Sequence, residues 1–248
     1  MKQNIQTKNV DIYLSMMAKT GAYPNKNNLK FFLNTLFKGI DFENKRVLDI
    51  GGGRGLLSLY AASKGAREVI CLEPELEGSS REVTNHFEKN KSMLNLNNVF
   101  LEPLTFQAYH PGNEPFDVVL LYNSINHLDE MACINLLDDS QARTRYKNIF
   151  QKIATMSRPG TKLIICDCSN KNVFAHFGVR NPMMPAIEWH KHQTPEVWLK
   201  ILNEVGFVNP IISWSSFNSL RSPGRFFLGN KLMAYFLMSH FCLKMEKA

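Results

Sequence analysis

The chain has 248 residues, 44% of them hydrophobic and 11% aromatic, enough apolar mass for one sizeable α/β domain with additions and unlike a disordered chain. Its formal net charge of +7 comes from scattered Lys and Arg with no basic run interleaved with aromatics, so a nucleic-acid partner is not expected. The polar opening MKQNIQTKNV has no apolar stretch behind it, and five cysteines (Cys71, Cys133, Cys166, Cys168, Cys242) lack C-x-x-C or Cys/His ligand spacing; this reads as a cytoplasmic protein with buried free thiols and no structural metal.

Apolar positions recur at helical spacing over 9–21 (Val10, Ile12, Tyr13, Met16, Met17) and 27–39 (Leu29, Phe32, Leu33, Leu36, Phe37), broken at Gly21-Ala22-Tyr23-Pro24. These two helices, within residues 1–40, would form a lid ahead of the first strand. An alternation follows: strand 46–50, helix 54–64, strand 68–73, helix 79–94, then strands 98–102 and 117–122. A helix from about Ser140 to Met156 stops at the turn Arg158-Pro159-Gly160. Strand 162–167 comes next, and Thr194-Pro195 starts a helix over 195–205. Segments 211–217 and 239–247 are strand-like, with a helical LGNKLMAYFLM between them. That apolar tail is short for a span of about 20 apolar residues and carries Lys231 and His240. It reads as a buried helix followed by a strand, with no membrane partner. No repeat or linker interrupts residues 1–248, which read as a single domain. The alternation predicts a doubly wound α/β fold whose ligands sit at the carboxyl ends of its parallel strands.

The most informative segment is VLDIGGGRG, residues 47–55. A buried strand ends at Asp49-Ile50 and passes through Gly51, Gly52, Gly53, Arg54 and Gly55 into an apolar helix. Such a turn lets backbone N–H groups and a helix N-terminus approach a ligand. The next strand ends in Glu73, placed to accept hydrogen bonds from ribose hydroxyls, because a carboxylate is an acceptor matched to a vicinal diol. A dinucleotide fingerprint needs a third glycine three places after Gly53, where this chain has Leu56. The spacing is acid-x-Gly-x-Gly-x-Gly instead, and the carboxylate of Asp49 suits a cofactor bearing an ammonium group.

This turn resembles the first motif of the class-I S-adenosylmethionine-dependent methyltransferases. The resemblance covers roughly residues 40–248, and residues 1–39 and 169–194 correspond to family-variable regions. It implies a Rossmann-like, seven-stranded, mostly parallel sheet with an antiparallel last strand, S-adenosylmethionine as cofactor, and a small-molecule methyl acceptor. Asp49, Gly51, Gly52 and Gly53 would then serve the methionine end and Glu73 the ribose. The family's usual Asp after the third strand is missing from FLEPLTFQAY, so Thr105, Gln107 or a backbone carbonyl would meet the adenine. Asn123, just past the fourth strand, would meet the amino-acid end of the cofactor or simply form the turn.

Methyl transfer from a sulfonium needs a positioned nucleophile and, for a hydroxyl or ammonium acceptor, a base. His127, a few residues past the fourth strand, resembles the base of several small-molecule O- and N-methyltransferases, in which a lid tyrosine assists; Tyr13 or Tyr23 would take that part. The alternative for His127 is packing or capping. The second cluster is IEWHKHQTP, residues 187–195. His190 and His192 would share one face of a strand and stand second as bases. Glu188, Trp189 and Gln193 would line a polar substrate wall in the 169–194 insertion. H-x-H beside Glu188 does not by itself complete a metal site. Tyr122-Asn123-Ser124-Ile125 replaces the Asn-Pro-Pro-Tyr-like tetrad common in enzymes that methylate base amines or amide side chains. The expected function is therefore methylation of an oxygen or nitrogen of a small metabolite. The rivals are an RNA or protein methyltransferase and a non-catalytic scaffold that kept the fold.

Overall fold

The structure is a computed structural model that describes residues 2–74 and 82–248. Its seven strands follow the order β3-β2-β1-β4-β5-β7-β6, as expected for the doubly wound fold. Strands β1 (Arg46–Ile50), β2 (Glu68–Leu72), β3 (Val99–Glu102) and β4 (Phe116–Tyr122) come first, and β5 (Ser157–Cys168), β6 (Phe207–Trp214) and β7 (His240–Lys247) follow. By contact density the chain divides into two compact units, residues 1–121 and 122–248.

In the first unit, β1 pairs in parallel with β2 and with β4, and β2 pairs in parallel with β3. Every residue of β1 is buried, as a strand covered on both faces requires. Helix α1 (Lys2–Lys19) begins earlier than its apolar spacing suggested. Helix α2 (Lys26–Leu36) is capped by Asn25, whose side chain accepts from the Asn27 and Asn28 amides, which satisfies two of the orphan donors at a helix start. Tyr13 of α1 packs on Tyr60 of α3 (Leu56–Ser63), with ring centroids 5.6 Å apart. Phe37 stacks on Tyr60 and meets Phe42 edge-on, so one aromatic cluster fastens the N-terminal helices to the helix that leaves the glycine turn. Helix α4 is Val83–Met93; positions 79–81 of the expected helix lie outside the described residues.

In the second unit, β7 runs antiparallel to both β5 and β6, as expected. Helix α5 (Glu130–Ile134) is capped by Asp129 and α6 (Ser140–Thr155) by Asp139. Helix α7 is Val173–His176, and α8 (Pro195–Glu204) has its proline in the first turn and buries Trp198, Ile201 and Leu202. Two expectations need correction. Arg158-Pro159-Gly160 is not a turn but the exposed start of β5, where Gly160 at φ 87° bends the chain. The strand part of the apolar tail is buried in β7, but its helical part is not: Phe226 is 81% and Phe227 68% exposed. It forms two short helices, α9 (Arg221–Leu228) and α10 (Lys231–Phe236), broken at Gly229-Asn230. Neither is long enough to lay a continuous apolar face on the sheet, and they bury only Gly224 and Ala234 respectively. No helix among the described residues is long and apolar enough to cross a membrane.

Candidate cofactor and proton-transfer sites

The glycine turn is built from backbone conformations that side chains resist. Gly51, Gly53 and Gly55 have φ of 71°, 54° and 79°, in the left-handed region that glycine enters without a Cβ clash. Gly52 is required by space instead: a Cβ there would lie 2.5 Å from Cys71 Sγ and 2.8 Å from Asp49 Oδ2. The turn is locked by the Gly51 and Gly52 amides, which donate to the Leu72 carbonyl at 2.8 and 3.2 Å. The Gly53 amide donates to Glu73 Oε2 at 3.0 Å. The acid that ends β2 is thereby tied to the turn that ends β1.

Asp49 is buried, and Ser58 Oγ donates to its Oδ2 at 2.6 Å. Its Oδ1 is buried without a hydrogen-bond partner among the described residues. Burial pushes the Asp49 pKa up to about 6, opposed by the Ser58 hydrogen bond and assisted by the negative charge of Glu73. An orphaned carboxylate oxygen is costly in isolation and well used by a cationic partner. This is the property that the ammonium end of S-adenosylmethionine fits. Asp49 would hold that ammonium and Glu73 the ribose, against Gly51, Gly52 and Gly53, which have no side chain to keep the cofactor away.

The remaining first-unit residues fall elsewhere. Tyr13 is buried, and its hydroxyl donates to the Leu56 carbonyl at 2.7 Å. That bond buttresses the first residue of α3. Thr105 is exposed, and its Oγ1 accepts from the Ala108 amide at 3.3 Å, which caps a local turn.

The second unit places its polar groups at the carboxyl end of β5. Asp167, the penultimate residue of that strand, has a side chain only 2% exposed. His192 Nδ1 lies 3.1 Å from both of its oxygens. A carboxylate only accepts, so Nδ1 carries the proton and Nε2 keeps a free lone pair. The segment holding His192 is clamped. Gln193 Nε2 donates to the Cys133 carbonyl at 2.8 Å, and Lys191 bridges Glu130 and Glu188 at 2.9 and 2.7 Å. The H-x-H pair does not share a face: Trp189–Lys191 is a 3-10 turn, not a strand, so His190 is exposed while His192 turns onto Asp167. Trp189 is half-buried and Glu188 exposed.

His127 ends another 3-10 turn, Ile125–His127. Its side chain is 62% exposed, with Nδ1 3.6 Å from Glu130 Oε2. Asn123 has φ 54°, and its Oδ1 meets His240 Nε2 at 2.9 Å. Facing an amide oxygen, Nε2 of His240 bears the proton and Nδ1 accepts from Ser215 Oγ at 2.8 Å. Desolvation pulls the His240 pKa down to about 4; Asp167 raises it and His192 lowers it further. His240 is therefore a neutral neighbour of the Asp167–His192 pair. Sequence reasoning missed Asp167, His240 and Ser215. Asp167 carried the same signal as Asp49, a lone acid closing an apolar strand, but its partner lies 25 residues away.

Glycine turn, orphaned acid and strand order together define a nucleoside-cofactor α/β protein. The Methyltransferase domain family model matches residues 17–210, and the chain belongs to this family of class-I S-adenosylmethionine-dependent methyltransferases. Among solved structures, an S-adenosylmethionine dependent methyltransferase from Mesorhizobium loti superposes with a TM-score of 0.59 at 13% identity, covering 88% of this chain and 98% of that one. The [4+2]-cyclase SpnF has a TM-score of 0.55 at 14% identity over 90% of this chain and 81% of that one. At such identities the likeness is one of fold. A ribosomal protein L11 methyltransferase of Prochlorococcus marinus (strain MIT 9301) is 32% identical over 101 residues, 41% of this chain. The chain thus spans about a third of the length of the curated relatives it matches.

Proposed function

We propose that the protein transfers the S-adenosylmethionine methyl group to a proton-bearing oxygen or nitrogen of a small metabolite, with His192 as the base. The observation that carries this reading is the buried Asp167 carboxylate holding His192 Nδ1 at 3.1 Å from both oxygens. Orientation by a carboxylate fixes the tautomer, leaves Nε2 free to take a proton, and stabilises the imidazolium that results. The pair stands at the carboxyl end of β5, the edge at which open α/β sheets bind ligands. Asp167 acts as a positioning residue. His127 ranks second because its carboxylate partner is more distant and both groups are more exposed, and Tyr13 is assigned to packing because its hydroxyl is bonded to the backbone. The cofactor supplies the electrophilic methyl group; Asp49, the glycine turn and Glu73 hold it.

S-adenosylhomocysteine release, screened over metabolite pools, bulk RNA and protein extracts, tests the acceptor class. With an active metabolite in hand, His192→Gln should lower kcat by ~10²–10⁴-fold, the scale of general-base removal. Asp167→Asn should shift the acid limb of the pH–rate profile downward, since losing the nearby negative charge makes imidazole easier to deprotonate. Full turnover in the His192 variant refutes the assignment. A second reading is protein methylation, favoured by the partial likeness to a ribosomal protein L11 methyltransferase. Release with a protein extract alone would establish it. A cofactor-binding chain inert toward every pool would instead be a non-catalytic scaffold.

A further inference from the structure

A cavity of about 300 Å³ opens in the first unit between the end of α1, the glycine turn and α4, and its walls include Arg54, His86, Lys89 and Asn90. His86, Lys89 and Asn90 stand three and four residues apart on α4, so one helix face presents an imidazole, an ammonium and a carboxamide together. Arg54 enters from the glycine turn. Among the described residues no carboxylate lines this space, and none forms an ion pair with Arg54, His86 or Lys89. The acid next to Lys89 in sequence does not offset it: Glu88 pairs with Lys91 at 3.5 Å.

Two permanent cations and a titratable imidazole around one cavity repel one another, weakly because Arg54 and Lys89 are exposed. An anion reverses that sign. The guanidinium fork matches two oxygens of a phosphate or carboxylate, and an ammonium adds a point charge. The volume lies at the small end of metabolite pockets and suits a small acid. We infer that this cavity is an oxyanion site that holds the phosphate or carboxylate group of a small molecule distinct from the cofactor. The assignment depends on neither the methyl acceptor nor the role of His192.

The experiment follows the imidazole Hε1 resonance of His86, assigned with His86→Gln, while inorganic phosphate is added at constant ionic strength. Chloride serves as the non-specific control. A saturable shift with a roughly millimolar Kd is expected, the range for a solvent-open site with few contacts. Arg54→Gln and Lys89→Gln should each weaken phosphate about three- to tenfold, the effect of one screened charge-assisted contact. Their unchanged Tm would verify that the fold survives. Acetate in place of phosphate distinguishes the two sources, the tighter anion identifying the natural group. A response no greater than that of chloride, or one indifferent to both substitutions, overturns the inference. So does loss of phosphate binding under saturating S-adenosylhomocysteine, which would give the cavity to the cofactor. Since the readout is binding, an inert enzyme with an intact anion response would refute the proposed function and leave this site standing.

Discussion

Asp49→Asn separates what the buried acid costs the protein from what it does for the ligand. The substitution keeps shape and the Ser58 contact but removes the charge. Burial raises the Asp49 pKa from 3.8 to about 6; at 1.36 kcal/mol per unit, keeping it ionised costs the unliganded protein up to about 3 kcal/mol. The sign follows from proton linkage. Because the folded pKa is raised, the native state holds the proton more firmly, so stability present below pH 4 is lost as pH rises toward 6. The Asn variant lacks that slope, and at pH 7.5 should be more stable by up to about 3 kcal/mol without ligand. Cofactor affinity should move the other way. Losing a charge-assisted hydrogen bond to an ammonium removes about 1.5–3 kcal/mol, roughly 10- to 150-fold in Kd. Urea unfolding of both proteins between pH 4 and 8, with calorimetry against S-adenosylhomocysteine at pH 7.5, measures the two effects. A variant less stable than the parent, or one binding as tightly, refutes the reasoning that Asp49 is held ionised for the cofactor.

Three further outcomes are expected. Gly55→Ala would place a Cβ 2.5 Å from the Phe87 ring at a φ of 79°, so thermal unfolding should report a loss of about 1–3 kcal/mol; an unchanged Tm would mean that the turn relaxes freely. Tyr13→Phe removes the 2.7 Å bond to the Leu56 carbonyl and should cost about 1 kcal/mol in stability with kcat retained, whereas a hundredfold fall in kcat would return Tyr13 to the chemistry. His127→Ala should change kcat by less than about tenfold, well short of general-base removal; a loss as large as that of His192→Gln would restore His127 as the base.

The sequence by itself determined the parts of this protein that rest on short-range pattern. Short apolar runs and helical spacing identified the alternating elements and from them a doubly wound sheet, while the antiparallel last strand was what the resemblance to class-I methyltransferases implied. The glycine turn, Asp49 and Glu73 were legible because backbone conformation and strand-end position are local properties. Patterns of this kind fail where a side chain's partner is set by the path of a loop. His190 and His192 looked equivalent until a 3-10 turn sent one to solvent and the other onto Asp167. His127 looked best placed because its position followed from strand order, yet strand order says nothing about burial. The helical part of the apolar tail misled for a related reason: its composition suggested a core, yet it folds as two short helices on either side of Gly229-Asn230 and leaves Phe226 and Phe227 exposed. Arg54, His86 and Lys89 likewise meet only through the packing of α4 beside the glycine turn. Local sequence encodes element and turn because it acts on neighbouring φ and ψ; tertiary structure decides which charges share a space, because that depends on chain segments far apart in sequence.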